Sequence, residues 1–214
     1  MKFSLLDIYT VLLQRNGNLA WWPGETDIEV CVGAILTQNT SWHNVERAIS
    51  NLKKEDLMSA DKILSVSSER LSKLIRPAGY FNQKAGYLKG FCKFLKLYSL
   101  PKLSKMEPCE VRDLLLSIKG IGPETADSIL LYALDLPIFV IDAYTKRILS
   151  RIGIVSNKAT YQELQDLFHN KLPTDIELFN DYHAQLVVLA KDFCNKKPKC
   201  SECPLRIAGI CCFN

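Results

Sequence analysis

The stretch Leu114-Leu115-Leu116-Ser117-Ile118-Lys119-Gly120-Ile121-Gly122-Pro123-Glu124-Thr125-Ala126 reads as a helix, a tight loop and a second helix. Pro123 suits the first turn of that second helix, where the N–H it lacks would have no helical partner. Glycine reaches backbone angles closed to other residues, and without a side chain it lets the main chain approach a ligand closely. The second helix begins straight after the loop, so its free N–H groups point outward with a partial positive charge. That is a seat for a phosphate. Ile121 is expected to pack inward and pin the hairpin. An ordinary helical hairpin with a glycine turn fits the short Gly-x-Gly as well, so the neighbouring sequence has to decide.

Outward from the hairpin the pattern stays helical. Apolar positions near the 3.6-residue period predict helices over 3–15, 27–38, 41–53, 59–64, 68–75, 82–98, 108–117, 123–134, 142–151, 159–170 and 175–193. Ser41 is a candidate N-cap, and Pro77 and Gly79 break the chain before the sixth helix. No stretch alternates as a strand does, no repeat appears and no segment is low in complexity. The fold class read from this pattern is all-α. With 214 residues, 48% of them hydrophobic, the chain can bury a sizeable core. The balance of 27 Lys and Arg against 23 Asp and Glu leaves a net charge of +4, mildly basic and compatible with nucleic acid. No apolar run approaches a membrane span, and Asp7 interrupts the start too early for a signal-peptide core. The expected location is therefore the cytoplasm.

Beyond the hairpin, Pro137-Ile138-Phe139-Val140-Ile141-Asp142-Ala143-Tyr144-Thr145-Lys146-Arg147 sets one acid straight after an apolar run. Asp142 opens a helix, and Asp is a good N-cap. The same carboxylate suits N-glycosidic bond cleavage, which builds positive charge on the sugar. It can stabilise that charge, or orient and deprotonate water.

Hairpin, helix, apolar run and Asp in this order resemble the endonuclease III superfamily of base-excision DNA glycosylases, over nearly the whole chain. The resemblance implies a two-lobed helix-hairpin-helix fold. One lobe is a helical bundle over 22–132 carrying the hairpin of 112–134, and the other joins 1–21 to 133–214. A cleft between them is expected to hold the flipped nucleotide. The resemblance also implies that Asp142 is catalytic and that Lys119, Gly120, Ile121 and Gly122 hold double-stranded DNA. Leu36-Thr37-Gln38-Asn39-Thr40 is similar to the segment whose Gln fills the space left by the flipped nucleotide, which nominates Gln38. Gly79-Tyr80-Phe81-Asn82-Gln83-Lys84-Ala85 is similar to a second DNA-probing loop with Tyr80 at its tip. A monomer acting near the nucleoid is implied as well. Bifunctional members carry a Lys two residues after the second glycine. Here that residue is Glu124, and a carboxylate cannot form a Schiff base. A monofunctional enzyme is expected, with weak or absent lyase activity.

Five of the eight cysteines, Cys194, Cys200, Cys203, Cys211 and Cys212, crowd the end of the chain. In a reduced compartment such a loop, spanning 194–212, reads as a metal site rather than as disulfides. Four thiolates suit a [4Fe–4S] cluster or zinc, and spacing alone leaves both open. The resemblance favours the iron–sulfur cluster. The family's intervals of six, two and five residues are here five, two and seven to Cys211, or eight to Cys212, so the fourth ligand is expected to be Cys211 or Cys212, with Cys211 preferred.

Trp21-Trp22-Pro23 forms a loop, and Trp42 follows the Gln38 segment. Flat apolar walls suit an extruded base, and aromatic faces attract the electron-poor rings that purine alkylation creates. Together with Leu-Thr-Gln-Asn-Thr and Asn82-Gln83-Lys84-Ala85, these residues resemble a bacterial 3-methyladenine glycosylase branch. That implies a base pocket of Trp21, Trp22, Pro23 and Trp42. A glycosylase for oxidised or mismatched pyrimidines and a non-catalytic damage binder are the alternatives. Glu25 and Asp27 lie near the tryptophan loop, with a helix cap expected of Asp27. His43, His169 and His183 receive no catalytic role.

Overall fold

The computed structural model describes residues 3–19 and 24–213. Among them the regular elements are all helical. They are α1 (Leu5–Asn16), α2 (Asp27–Leu36), α3 (Trp42–Lys54), α4 (Ala60–Ser65), α5 (Ser68–Leu74), α6 (Phe81–Leu97), α7 (Leu100–Leu103) and α8 (Pro108–Leu116). They continue as α9 (Pro123–Ala133), α10 (Ala143–Ile152), α11 (Tyr161–Lys171), α12 (Ile176–Asp192) and α13 (Pro204–Ile207), with 3-10 turns at Arg76–Ala78 and Cys200–Glu202. The all-α class expected from the periodicity is the one observed. The expectation passed over α7 and α13, which at about one turn each are too short to show a period.

The chain divides into two compact units, Trp22–Leu136 and Met1–Trp21 with Pro137–Asn214. In the first, α2 is apolar nearly all round, and Val30, Cys31, Val32, Ala34, Ile35 and Leu36 are buried. It packs against α9, whose Ala126, Ile129, Leu130 and Leu131 are equally buried. Each buried Val, Ile or Leu among them contributes about 1.5–3 kcal/mol from apolar burial. Thr26 caps α2, its Oγ accepting from Glu29 N; Asp27 is not the cap expected of it but the first helical residue. Its charge still favours the positive end of the helix.

In the second unit the core is aromatic. The Phe139 and Phe168 rings stack with centroids 3.7 Å apart, and Phe179 and Tyr182 meet Phe139 edge-on. Phe139 belongs to an extended run that pairs with no strand. Side chains of α11 take the place of a neighbouring strand. Phe139 N donates to His169 Nε2 at 3.0 Å, Gln165 Nε2 donates to Phe139 O at 2.9 Å, and Ile141 N donates to Tyr161 Oη at 3.4 Å. Residues 161, 165 and 169 recur every fourth position and so share one face of α11.

The two helices of the hairpin are joined by a buried ion pair. Arg112 on α8 donates from Nε to Asp127 Oδ1 at 2.7 Å and from Nη2 to Oδ2 at 3.2 Å, and Asp127 on α9 is fully buried. Removing one partner strands the other charge in an apolar setting. Arg112→Met is therefore expected to lower the unfolding free energy by about 3 kcal/mol. The double variant Arg112→Met, Asp127→Leu should recover much of that loss in urea denaturation. A double variant no more stable than the single one would count against this account of the hairpin.

Candidate functional site

The hairpin loop needs one of its glycines for conformation. Gly120 has φ +90°, and a Cβ there would lie 2.2 Å from the Tyr87 ring. Gly122 differs, since its φ of −94° is open to any residue and a Cβ would meet nothing within 4 Å. What Gly122 provides is clearance in front of α9, whose N-cap it is and whose first turn no side chain caps. Ile121 is buried and Lys119 exposed, so the hairpin is pinned from inside as expected.

Gln38 follows α2 and lies on this hairpin. Its Nε2 donates to Gly120 O at 2.9 Å and to Thr125 Oγ1 at 3.1 Å. Tyr80 stands at the N-cap of α6 with a left-handed backbone (φ +45°) and 66% of its surface exposed. An apolar ring held out in that way is not a core plug. Gln38, Asn39, Tyr80, Gln83, Lys84 and Tyr87 line one open pocket, so both expected probing residues meet there. Trp42 is the first residue of α3 and is half-buried. Trp21, Trp22 and Pro23 lie outside the described residues. Glu25 is paired with Lys53, whose Nζ stands 3.0 Å from it and 2.8 Å from Glu29.

In the other unit, the extended run of 139–141 delivers Asp142 to the N-cap of α10, where Oδ1 accepts from Thr145 N at 2.7 Å. Oδ2 faces His183 Nε2 of α12 at 3.7 Å, and both side chains are nearly buried. Burial pushes the Asp142 carboxyl up, but His183 and the Thr145 donor outweigh it and hold the group below its ordinary value. The result is a carboxylate kept ionised in a largely dry setting. The sequence reading left His183 without a role, because nothing in the separation of 142 from 183 along the chain marks them as neighbours. His43 is exposed beside Glu46, and His169 accepts from Phe139 N.

The far end of α10 reaches the cysteine segment. Arg147 Nε donates to Cys194 O at 2.8 Å. Arg151 Nη1 donates to Asn195 O at 2.7 Å and to Cys194 Sγ at 3.2 Å. Cys194, Cys200, Cys203 and Cys211 line one small cavity with Arg151 and Arg206, whereas Cys212 is exposed and outside it. Burial and the sulfurs of Cys203, Cys194 and Cys200 push the Cys211 thiol up, so all four are within electrostatic reach. The unusual interval of seven residues before Cys211 holds α13, with Leu205 and Ile210 buried and both Ile210 N and Cys211 N donating to Leu205 O. Among the described residues no group of three or more His, Cys, Asp or Glu side chains closes on a point as a single metal ion would require. Four thiols around one cavity, with a guanidinium donating to one of them, are a donor set that fits a multi-iron cluster held by thiolates.

Comparison with known proteins identifies the family and the fold. Residues 32–174 match the profile of the HhH-GPD superfamily of base excision DNA repair proteins. The candidate DNA repair glycosylase MJ1434 of Methanocaldococcus jannaschii is 51% identical over 211 residues, covering 96% of each chain. The crystal structure of the Helicobacter pylori 3-methyladenine DNA glycosylase MagIII bound to 1,N6-ethenoadenine is similar at 30% identity and a TM-score of 0.77, covering 88% of this chain and 98% of that one. A trapped endonuclease III–DNA covalent intermediate shares the fold at 19% identity and a TM-score of 0.81, covering 98% and 96%.

The Asp142–His183 contact has a measurable consequence. A carboxyl held below its ordinary value stabilises the fold above the ordinary carboxylate range, and that contribution is lost as the pH falls through the lowered value. In His183→Gln the Asp142 carboxyl should titrate at higher pH than in the natural chain, followed by carbon NMR on labelled aspartate. An unchanged titration would leave His183 without an electrostatic part in the site.

Proposed function

This chain belongs to the HhH-GPD superfamily of base excision DNA repair proteins, and on that premise we propose that it is a monofunctional DNA glycosylase for an alkylated purine such as 3-methyladenine. The observation that carries the reading is Asp142, a nearly buried carboxylate held ionised at the head of α10. As the bond between the sugar and the base lengthens, positive charge builds on the sugar, and a fixed anion lowers the barrier most where water is scarce. Water supplies the oxygen that attaches to the sugar, and Asp142 takes its proton. The base leaves with the electrons of the broken bond. An alkylated purine that is already cationic departs neutral and needs no general acid.

Hydrolysis rather than strand cleavage follows from Glu124, which stands two residues after Gly122 on the first turn of α9 and offers no amine. The hairpin residues Lys119, Gly120, Ile121 and Gly122 are the proposed grip on the phosphate backbone of double-stranded DNA, with Gln38 and Tyr80 probing the duplex. Trp21, Trp22, Pro23 and Trp42 are the proposed walls of the base pocket. The similarity to a 3-methyladenine glycosylase bound to an etheno-adduct of adenine supports that substrate class. Cys194, Cys200, Cys203 and Cys211 would hold a [4Fe–4S] cluster. When bound, such a cluster staples the loop, which presents Lys196, Lys197, Lys199 and Arg206 to phosphates. The enzyme would work as a monomer on chromosomal DNA in the cytoplasm.

Purified protein should release free 3-methyladenine from methylated DNA and leave abasic sites uncut, with no borohydride-trapped adduct. Asp142→Asn should slow release roughly a hundredfold or more. Release from thymine-glycol or T·G duplexes alone would overturn the substrate assignment, and a trapped adduct the monofunctional one. The fourth ligand is checked separately. Cys211→Ser should abolish a visible band near ~400 nm, and Cys212→Ser should keep it.

A further inference from the structure

Lys84 is a lysine that the proposed reaction does not use. It sits on the first turn of α6 with only 2% of its surface exposed. Burying a cation is unfavourable, and here it pushes the Lys84 ammonium down to about 8. Such a group persists in a fold only where it meets matched acceptors. Its Nζ donates to Leu36 O at 2.9 Å and to Ala78 O at 2.8 Å. Leu36 is the last residue of α2, and Ala78 is the last residue of the 3-10 turn of Arg76–Ala78. Carbonyls at such ends have no helical donor and carry partial negative charge. One ammonium therefore joins two chain ends that are 42 residues apart in sequence.

What each end leads into gives the contact its meaning. Two residues beyond Leu36 is Gln38, and two beyond Ala78 is Tyr80. Both turns pass through a left-handed residue without the freedom of glycine, Asn39 at φ +54° and Tyr80 at φ +45°. Turns of that kind hold their shape only when their anchors are fixed. Lys84 also grips the second turn through its backbone, its N donating to Tyr80 O at 2.9 Å. It lines the pocket shared by Gln38, Asn39, Tyr80, Gln83 and Tyr87. Among the described residues that line the pocket none is acidic, so the carbonyls carry the load of holding the cation.

We propose that Lys84 is the positioning residue that keeps the Gln38 and Tyr80 turns in register, so that both enter the duplex together when a nucleotide is extruded. The inference rests on reading Gln38 and Tyr80 as DNA-probing residues. A positioning role of this kind matters most when extrusion is difficult. A lesion in a fully paired duplex needs both turns to hold the gap open. A lesion opposite an abasic analogue offers a gap already formed, and binds with less help from the turns.

The test uses the full-length natural chain and Lys84→Met, Lys84→Gln and Lys84→Arg, each checked for folding by circular dichroism. Single-turnover release of 3-methyladenine is measured at saturating enzyme on a paired duplex and on one with an abasic analogue opposite the lesion. Lys84→Met should lose at least tenfold on the paired duplex and less than threefold on the gapped one. Lys84→Arg should retain most of the rate on both. An equal loss on the two duplexes marks a merely structural lysine and overturns the proposal, as does an unchanged rate on the paired one. Should Met unfold the chain, Lys84→Gln, which can reach at most one of the carbonyls, carries the same comparison. A second readout needs no catalysis. 2-Aminopurine placed beside a lesion analogue in the paired duplex should change fluorescence on binding the natural chain, and change less with Lys84→Met at equal occupancy. If the natural chain releases no base, the glycosylase reading of the substrate fails. The fluorescence comparison still decides the role of Lys84, and equal changes in both proteins would overturn it.

Discussion

The extended run from Phe139 to Ile141 is buried, and it has no strand beside it. Its N–H and C=O groups must nevertheless be paired, because an unpaired buried polar group costs about 1–3 kcal/mol. The face of α11 formed by Tyr161, Gln165 and His169 meets that demand along one edge of the run, pairing with Phe139 N, Phe139 O and Ile141 N as a neighbouring strand would. The run ends on Asp142, so the carboxylate is aimed by a segment whose backbone is fixed from the side. Phe139 adds the packing term, locked between Phe168, Phe179 and Tyr182. The position of the carboxylate thus depends on residues up to 40 places away in sequence, from 142 to 182.

The same arrangement recurs wherever helices give way to functional loops. An all-α fold satisfies backbone groups within helices and leaves the connecting segments to find partners elsewhere. Long polar side chains supply them here. Gln38 donates to Gly120 O in the hairpin, Lys84 to Leu36 O and Ala78 O, and Arg147 and Arg151 to Cys194 O. In each case the side chain leaves a rigid helix or its end and takes hold of a loop. Precision in the loops is borrowed from the helices.

This division explains what could be read in advance. Helix positions follow from apolar periodicity, which is local, and α2, α9 and α12 lie where the pattern puts them. The hairpin is legible because Gly-Ile-Gly-Pro concentrates unusual backbone chemistry in four residues, and the cysteine segment because five thiols crowd one short stretch. His183 and Lys84 were not legible as site residues. Their meaning lies in contacts to residues 41 and 48 positions away, and a single sequence carries no trace of such a pairing. The need for Gly120 is similar, since half of it comes from the Tyr87 ring on another helix. Asp27 shows the opposite error. Both Thr26 and Asp27 can cap a helix, and one residue of register, set by where α2 meets its neighbours, gives the cap to Thr26.

The residues that hold the loops and the residue proposed to set the reaction type are under different physical constraints. Replacing Gln165 or Lys84 strands carbonyls inside the protein, at about 1–3 kcal/mol for each group left unpaired, even though each bond contributes only about 1 kcal/mol net. Position 124 is exposed on the first turn of α9, where a Glu or a Lys fits without moving the core. Glu is somewhat the better fit beside the positive end of the helix dipole. A carboxylate or an amine at that place can therefore be exchanged at little structural expense, while on the proposed reading only the amine would open covalent attack on the sugar. On that reading one scaffold would carry both kinds of enzyme, its stability resting on buried loop anchors and its choice of reaction on an exposed position.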